Sequence, residues 1–163
     1  YLTTPCIVSY ESYESTKPSH VREFYTLDGY LNASGEQSFL DLLLRGEKLT
    51  KHMTITPCFR DEPIIDAIHY KYFLKVELID MDATKDNLHK MIADAKNLFE
   101  QYLSVKVIQT DDAGTTFDIC DTKSGIELGS YGIRTYKNFR WIYGTGIALP
   151  RLDVVLQSYK NKK

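Results

Sequence analysis

The sequence predicts an α+β fold, a mostly antiparallel sheet flanked by helices. Two observations carry that expectation. Strand candidates outnumber helices and come in consecutive runs, without the strict strand–helix alternation of a doubly wound parallel sheet. One segment, DNLHKMIADAKNLFEQYL (86–103), sets Leu88, Met91, Ile92, Ala95, Leu98, Phe99 and Leu103 on a single helical face. At 163 residues, with no internal repeat and no linker, the chain reads as a single domain over 1–163. A chain of that length buries roughly two-thirds or more of its unfolded surface.

Taken in order, LTTPCIVSY (2–10) is a strand candidate interrupted by Pro5, and 12–20 is expected to be a loop. SGEQSFLDLLLRG (34–46) is a helix candidate, with Ser34 as N-cap, Glu36 near its positive end and Gly46 as its stop. HMTITPCFR (52–60) and YKYFLKVELID (70–80) read as an antiparallel pair joined through EPIIDAIH. After the 86–103 helix come strand candidates over 105–109, 115–120, 124–134 and 139–144. A glycine-spaced loop, GTGIAL, then leads to a helix over 150–159, with Pro150 in its first turn.

The net charge of −2 gives no electrostatic footprint for a nucleic-acid-coating surface; only Lys160, Lys162 and Lys163 cluster. Cys6, Cys58 and Cys120 have no metal-ligand spacing and are odd in number, so reduced, buried thiols in the cytoplasm are expected. No apolar run is long enough to span a membrane. His20, His52 and His89 show no ligand spacing. His69 sits in the loop between the paired strands, and Asp118 and Asp121 are candidates to extend a pocket.

Arg60 and Glu62 stand two apart at the end of a strand, so both side chains should share a face. Burying either charge alone is expensive, so that face is either a surface ion pair or a binding site. Glu127, Ser130 and Arg134 follow on a later strand. Gly144 and Gly146 mark a close backbone approach, and Arg151 opens the last helix.

In this order the fragments resemble the catalytic core of class II aminoacyl-tRNA synthetases over most of the chain. PCFRDE is similar to motif 2 (Phe-Arg-x-Glu), and YGTGIALPRL (143–152) to motif 3. TTPCI (3–7) is similar to the end of motif 1, SGEQ (34–37) to the amino-acid-reading loop, and YFLKVEL (72–78) to the second motif 2 strand of seryl-type enzymes. IELGSYGIR is similar to the acidic strand before motif 3.

The resemblance implies ATP-dependent activation of an amino acid, or a related carboxylic acid, as its adenylate, with magnesium as cofactor. It assigns Arg60 to the α-phosphate and the substrate carboxylate, Glu62 to the adenine amino group, and Phe73 and Arg151 to the two faces of adenine. Arg151 also meets the γ-phosphate. Glu127 and Ser130 would hold magnesium, and Glu36 and Glu77 would meet the substrate ammonium. Gly144 and Gly146 would flank ATP. A homodimer and transfer to tRNA or another acceptor are implied as well. Three departures accompany it: no room for an anticodon-binding domain, no long helix before motif 1, and an apolar motif 2 loop. A catalytically silent ATP-binding or regulatory module is therefore the alternative.

Overall fold

The computed structural model describes residues 1–17 and 21–160; His20, Lys162 and Lys163 lie outside the described residues. Six strands form the main sheet: β4 (Lys51–Phe59), β5 (Tyr72–Asp80), β6 (Val105–Gln109), β7 (Thr116–Asp121), β8 (Glu127–Tyr136) and β9 (Phe139–Ala148). Their order is β4-β5-β9-β8-β7-β6, and every neighbouring pair is antiparallel. The expected class is observed.

The 86–103 periodicity becomes α3 (Lys85–Glu100), whose N-cap Thr84 accepts from the Asn87 amide. Its buried Leu88, Ile92, Ala95 and Phe99 join Ile119, Leu128, Tyr131, Ile142 and, from α4 (Arg151–Lys160), Val155. These two helices cover one face of the sheet. The opposite face carries α2 (Gly35–Leu44), where Phe39, Leu40 and Leu43 pack on Ile79 and the fully buried Trp141. Ser34 is the N-cap residue as expected, yet its side chain makes no cap bond. Gln37 instead reaches back, its Oε1 accepting from the Ala33 amide at 2.6 Å.

The amino-terminal expectations need correction. Residues 2–6 run extended beside β4, through a Leu2 N to Met53 O bond, and only Ile7–Val8 (β1) form a strand. Residues 12–14, expected in a loop, complete the short helix α1 (Tyr10–Glu14). Ser9 caps that helix, accepting from the Ser12 amide, and Tyr13 is buried beneath it. The buried Asp41 of α2 accepts from Ser9 N and Ser12 Oγ. That tertiary bond holds the helix against α2, and no local pattern announces it. With β2 (Tyr25–Thr26) and β3 (Gly29–Leu31), β1 forms a separate three-stranded sheet in the order β1-β3-β2.

The thiols carry a testable consequence. Cys58 is wholly buried, and burial pushes its thiol up to about 12; burial also raises Cys120, which is 6% exposed. A thiol reagent at neutral pH is expected to label only the half-buried Cys6 in the folded chain and all three cysteines after denaturation. Rapid native labelling of Cys58 would contradict this packing.

Candidate active site

A cavity of about 330 Å³ opens on the α2 face of the main sheet, within the size range of small-molecule sites. Arg60, Glu62, Phe73, Glu36, Glu77, Glu127, Ser130 and Arg151 all line it, together with Lys75, Arg134, Tyr143 and Thr145. Residues from four regions of the chain thus converge on one hollow.

Two strand irregularities make this convergence possible. In β8, Glu127 opposes Cys120 while Gly129 opposes Ile119, so one extra residue is inserted at Leu128. Glu127 and Ser130, three apart, would otherwise point to opposite faces; the bulge turns both into the cavity. In β9, Thr145 opposes Glu77 and Ile147 opposes Val76, leaving Gly146 as the inserted residue. Tyr143 and Thr145 before it, and Ala148 after it, all face the cavity as a result.

This corrects the reading of the glycines. Gly144 and Gly146 lie inside β9, which runs unbroken to Ala148 where a loop was expected. A Cβ on Gly144 would meet Met91 Sδ at 2.7 Å and the Tyr131 ring at 2.8 Å, on the α3 side of the sheet. Gly146 backs on Val76. Both are packing glycines, and neither lines the hollow.

Arg60 and Glu62 also depart from their expected setting, because β4 ends at Phe59. Beyond it, the Arg60 amide bonds Lys71 O and the Glu62 amide bonds Arg60 O, a tight turn that still delivers both side chains to the cavity. Arg60 is held from two sides. Its Nε donates to Ala33 O at 3.0 Å, and its guanidinium lies 5.3 Å from the centre of the Phe73 ring.

Arg151 reaches back from the start of α4 to Glu127, with Nη1 3.3 Å from Oε1; Glu127 stays substantially exposed. Beside them, burial pushes the Asp118 carboxyl up and the nearby Glu127 charge adds to the effect, while a Ser130 hydrogen bond and Arg151 oppose it. Asp121 is not part of the site. It accepts from Ser124 and from the Tyr159 hydroxyl, tying the β7–β8 turn to α4. Among the described residues no three His, Cys, Asp or Glu groups converge on a metal. Magnesium bound with a nucleotide needs only one or two protein oxygens beside the phosphates, and the exposed Glu127 carboxylate next to the Ser130 hydroxyl fits that demand.

The inner end of the cavity is more charged than the sequence suggested. Glu36 accepts from Trp141 Nε1 at 2.8 Å and pairs with Arg134, whose guanidinium lies 4.6 Å from the centre of the Tyr143 ring. Burial pushes the Glu36 carboxyl above its usual range, against the Arg134 charge and the indole N–H. Glu77 accepts from Thr145 Oγ1 at 3.3 Å and lies 2.6 Å from Lys75 Nζ. A Cβ on Gly35 would fall 2.8 Å from Glu77 Cβ, so α2 starts directly on β5 at this point. Lys75, Tyr143 and Thr145 escaped notice as site residues, and Arg134 was singled out on its strand without a role. The alternation of Lys75 and Glu77 was the one visible hint; the others share a face with Glu77 only once β9 and β8 are in register.

At the mouth, Ile68, His69 and Tyr70 form one rim, and His69 Nδ1 lies 3.0 Å from Asp66 Oδ1. Phe73 lines the cavity beside the Arg60 guanidinium and offers a ring face on which a planar base can stack. Phe73→Ala should weaken ATP binding by about 1–3 kcal/mol in calorimetry. Unchanged ATP affinity would remove the ring from the site.

The antiparallel sheet flanked by helices matches the fold of class II aminoacyl-tRNA synthetase catalytic domains. Two solved structures of pyrrolysyl-tRNA synthetase from Desulfitobacterium hafniense share it. The first, described as PylSc, has TM-score 0.72 and 18% identity, covering 96% of this chain and 62% of the other. The second has TM-score 0.70 and 17% identity, covering 96% and 63%. The chain thus spans about three-fifths of the length of these neighbours. No protein-family model matches the sequence, and no curated protein does. Among the described residues no helix is long and apolar enough to cross a membrane.

Proposed function

We propose that this chain activates an amino acid as its aminoacyl-adenylate at the expense of ATP. The observation that carries the reading is the convergence of Arg60 and Arg151, distant in sequence, on one cavity that also holds Glu62, Phe73, Glu127 and Ser130. A substrate carboxylate oxygen attacks the α-phosphorus, the bond to the β-phosphate bridging oxygen breaks, and pyrophosphate leaves. Negative charge grows on the phosphoryl oxygens as this happens.

Arg60, held by Ala33 O and Phe73, is a pre-oriented planar donor for those oxygens and for the incoming carboxylate. Phe73 supplies a face for adenine, and Glu62 accepts from its amino group. Arg151 serves the γ-phosphate, leaving Glu127 free to meet magnesium beside Ser130. Magnesium, when bound, neutralises charge on the β- and γ-phosphates. No protein nucleophile is required. The activated acyl group then passes to tRNA or to another acceptor, and on this reading the protein works in the cytoplasm, alone or as a dimer.

ATP–pyrophosphate exchange across the standard amino acids tests the reading, with amino-acid-dependent exchange as the expected result. A second reading, an ATP-binding module without turnover, draws on the existing Arg151–Glu127 and Lys75–Glu77 pairs, which occupy the groups that substrates would need. ATP binding without exchange for any amino acid would favour it.

A further inference from the structure

The inner end of the cavity narrows the class of substrate, an inference that rests on the amino-acid-activation reading above. Glu77 is 2% exposed, and its carboxylate is held by Lys75 Nζ, 2.6 Å from Oε1, and by Thr145 Oγ1, 3.3 Å from Oε2. The Lys75 side chain is 12% exposed, and Glu77 is its only ion-pair partner among the described residues. A buried carboxylate and a nearly buried cation are thus paired with each other at the cavity wall, so a ligand that takes one of them must also provide a partner for the other. Glu36 and Arg134 differ: each is tied to the other and to an aromatic residue, Trp141 or Tyr143.

Charge counting then selects the ligand. Glu36, Glu77, Lys75 and Arg134 sum to zero. A substrate ammonium arriving at Glu77 Oε1 adds one positive charge and releases Lys75. The substrate α-carboxylate is engaged by Arg60 and does not compensate. A side-chain carboxylate on the substrate restores neutrality and gives Lys75 its partner. An aliphatic or aromatic side chain would leave a nearly buried ammonium unpaired, and a basic one would add a second uncompensated charge. We propose that this cavity selects a dicarboxylic amino acid, with Glu77 receiving its ammonium and Lys75 its side-chain carboxylate.

The test ranks L-aspartate and L-glutamate against asparagine, glutamine, serine, leucine, phenylalanine and lysine, in pyrophosphate exchange and, without ATP, in ligand-induced thermal shift. One of the two acids is expected to lead by at least about tenfold, the least that loss of a charge-assisted hydrogen bond implies. Lys75→Met should erase that lead and Lys75→Arg should retain part of it. A lead for leucine, phenylalanine, serine or lysine overturns the inference, as does an equal response to an acid and its amide. Absence of exchange with every amino acid defeats the activation reading alone. The thermal shift then decides this inference: a shift confined to the acids and lost in Lys75→Met supports it, and no shift with either acid overturns it. If Lys75→Met fails to fold, the wild-type ranking decides.

Discussion

Arg60→Ala is expected to lower amino-acid-dependent pyrophosphate exchange by about 10²–10³-fold, the usual consequence of removing one pre-oriented donor from a developing oxyanion. The side chain is fixed before any substrate arrives, by the 3.0 Å bond to Ala33 O and by the Phe73 ring, so its catalytic contribution needs no reorganisation. The folding cost should be small, about 1 kcal/mol for one part-buried carbonyl losing its partner. Arg60→Lys should rescue only partly, since a point charge cannot span a phosphoryl oxygen and a carboxylate in one plane. Exchange within a few-fold of wild type in Arg60→Ala, with normal unfolding in urea, would remove this residue from the chemistry.

Trp141→Ala carries the largest expected loss of stability, about 3–5 kcal/mol in urea unfolding. The side chain is fully buried, packs with Phe39, Leu40, Leu43 and Ile79, and donates to Glu36 Oε1. Trp141→Phe separates the two contributions. Most of the volume remains, but Glu36 loses one of its two described partners, so about 1–3 kcal/mol should still be lost. A double-mutant cycle with Glu36→Gln should then show coupling, because the two groups touch. If Trp141→Phe is neutral, the indole–carboxylate bond contributes nothing and packing alone seats α2. The same variant reaches the site, since Glu36 lines the cavity one turn from that core.

The two variants draw on different parts of the sequence, and they differ in how visible each part was. Arg60 announced itself because a charged pair in Phe-Arg-x-Glu, followed by a strand and a glycine-spaced run ending in arginine, is informative as text. Trp141 did not: a tryptophan in FRWIYG reads as strand core, and its bond to a carboxylate 105 residues earlier in the chain has no local trace.

The chain's own text was sufficient for the α+β class, for α3 and for the paired strands β4 and β5, because hydrophobic period is a local property set by backbone geometry. It was also sufficient for the residues whose chemistry the cavity collects: Arg60, Glu62, Phe73, Glu127 and Arg151. Tertiary structure alone decided which face each of them meets. Bulges at Leu128 and Gly146 reverse strand parity, turning Glu127 and Ser130 inward together and sending Gly144 to the α3 side instead of the cavity. Tertiary structure alone also assembled the inner charge cluster, because Lys75 and Glu77 of β5 meet Glu36 of α2 and Arg134 of β8 only across the finished sheet. Alternation dictates which side chains share a face of an unbroken strand; pairing register and inserted residues dictate where that face points, and both are settled by contacts far apart in the chain.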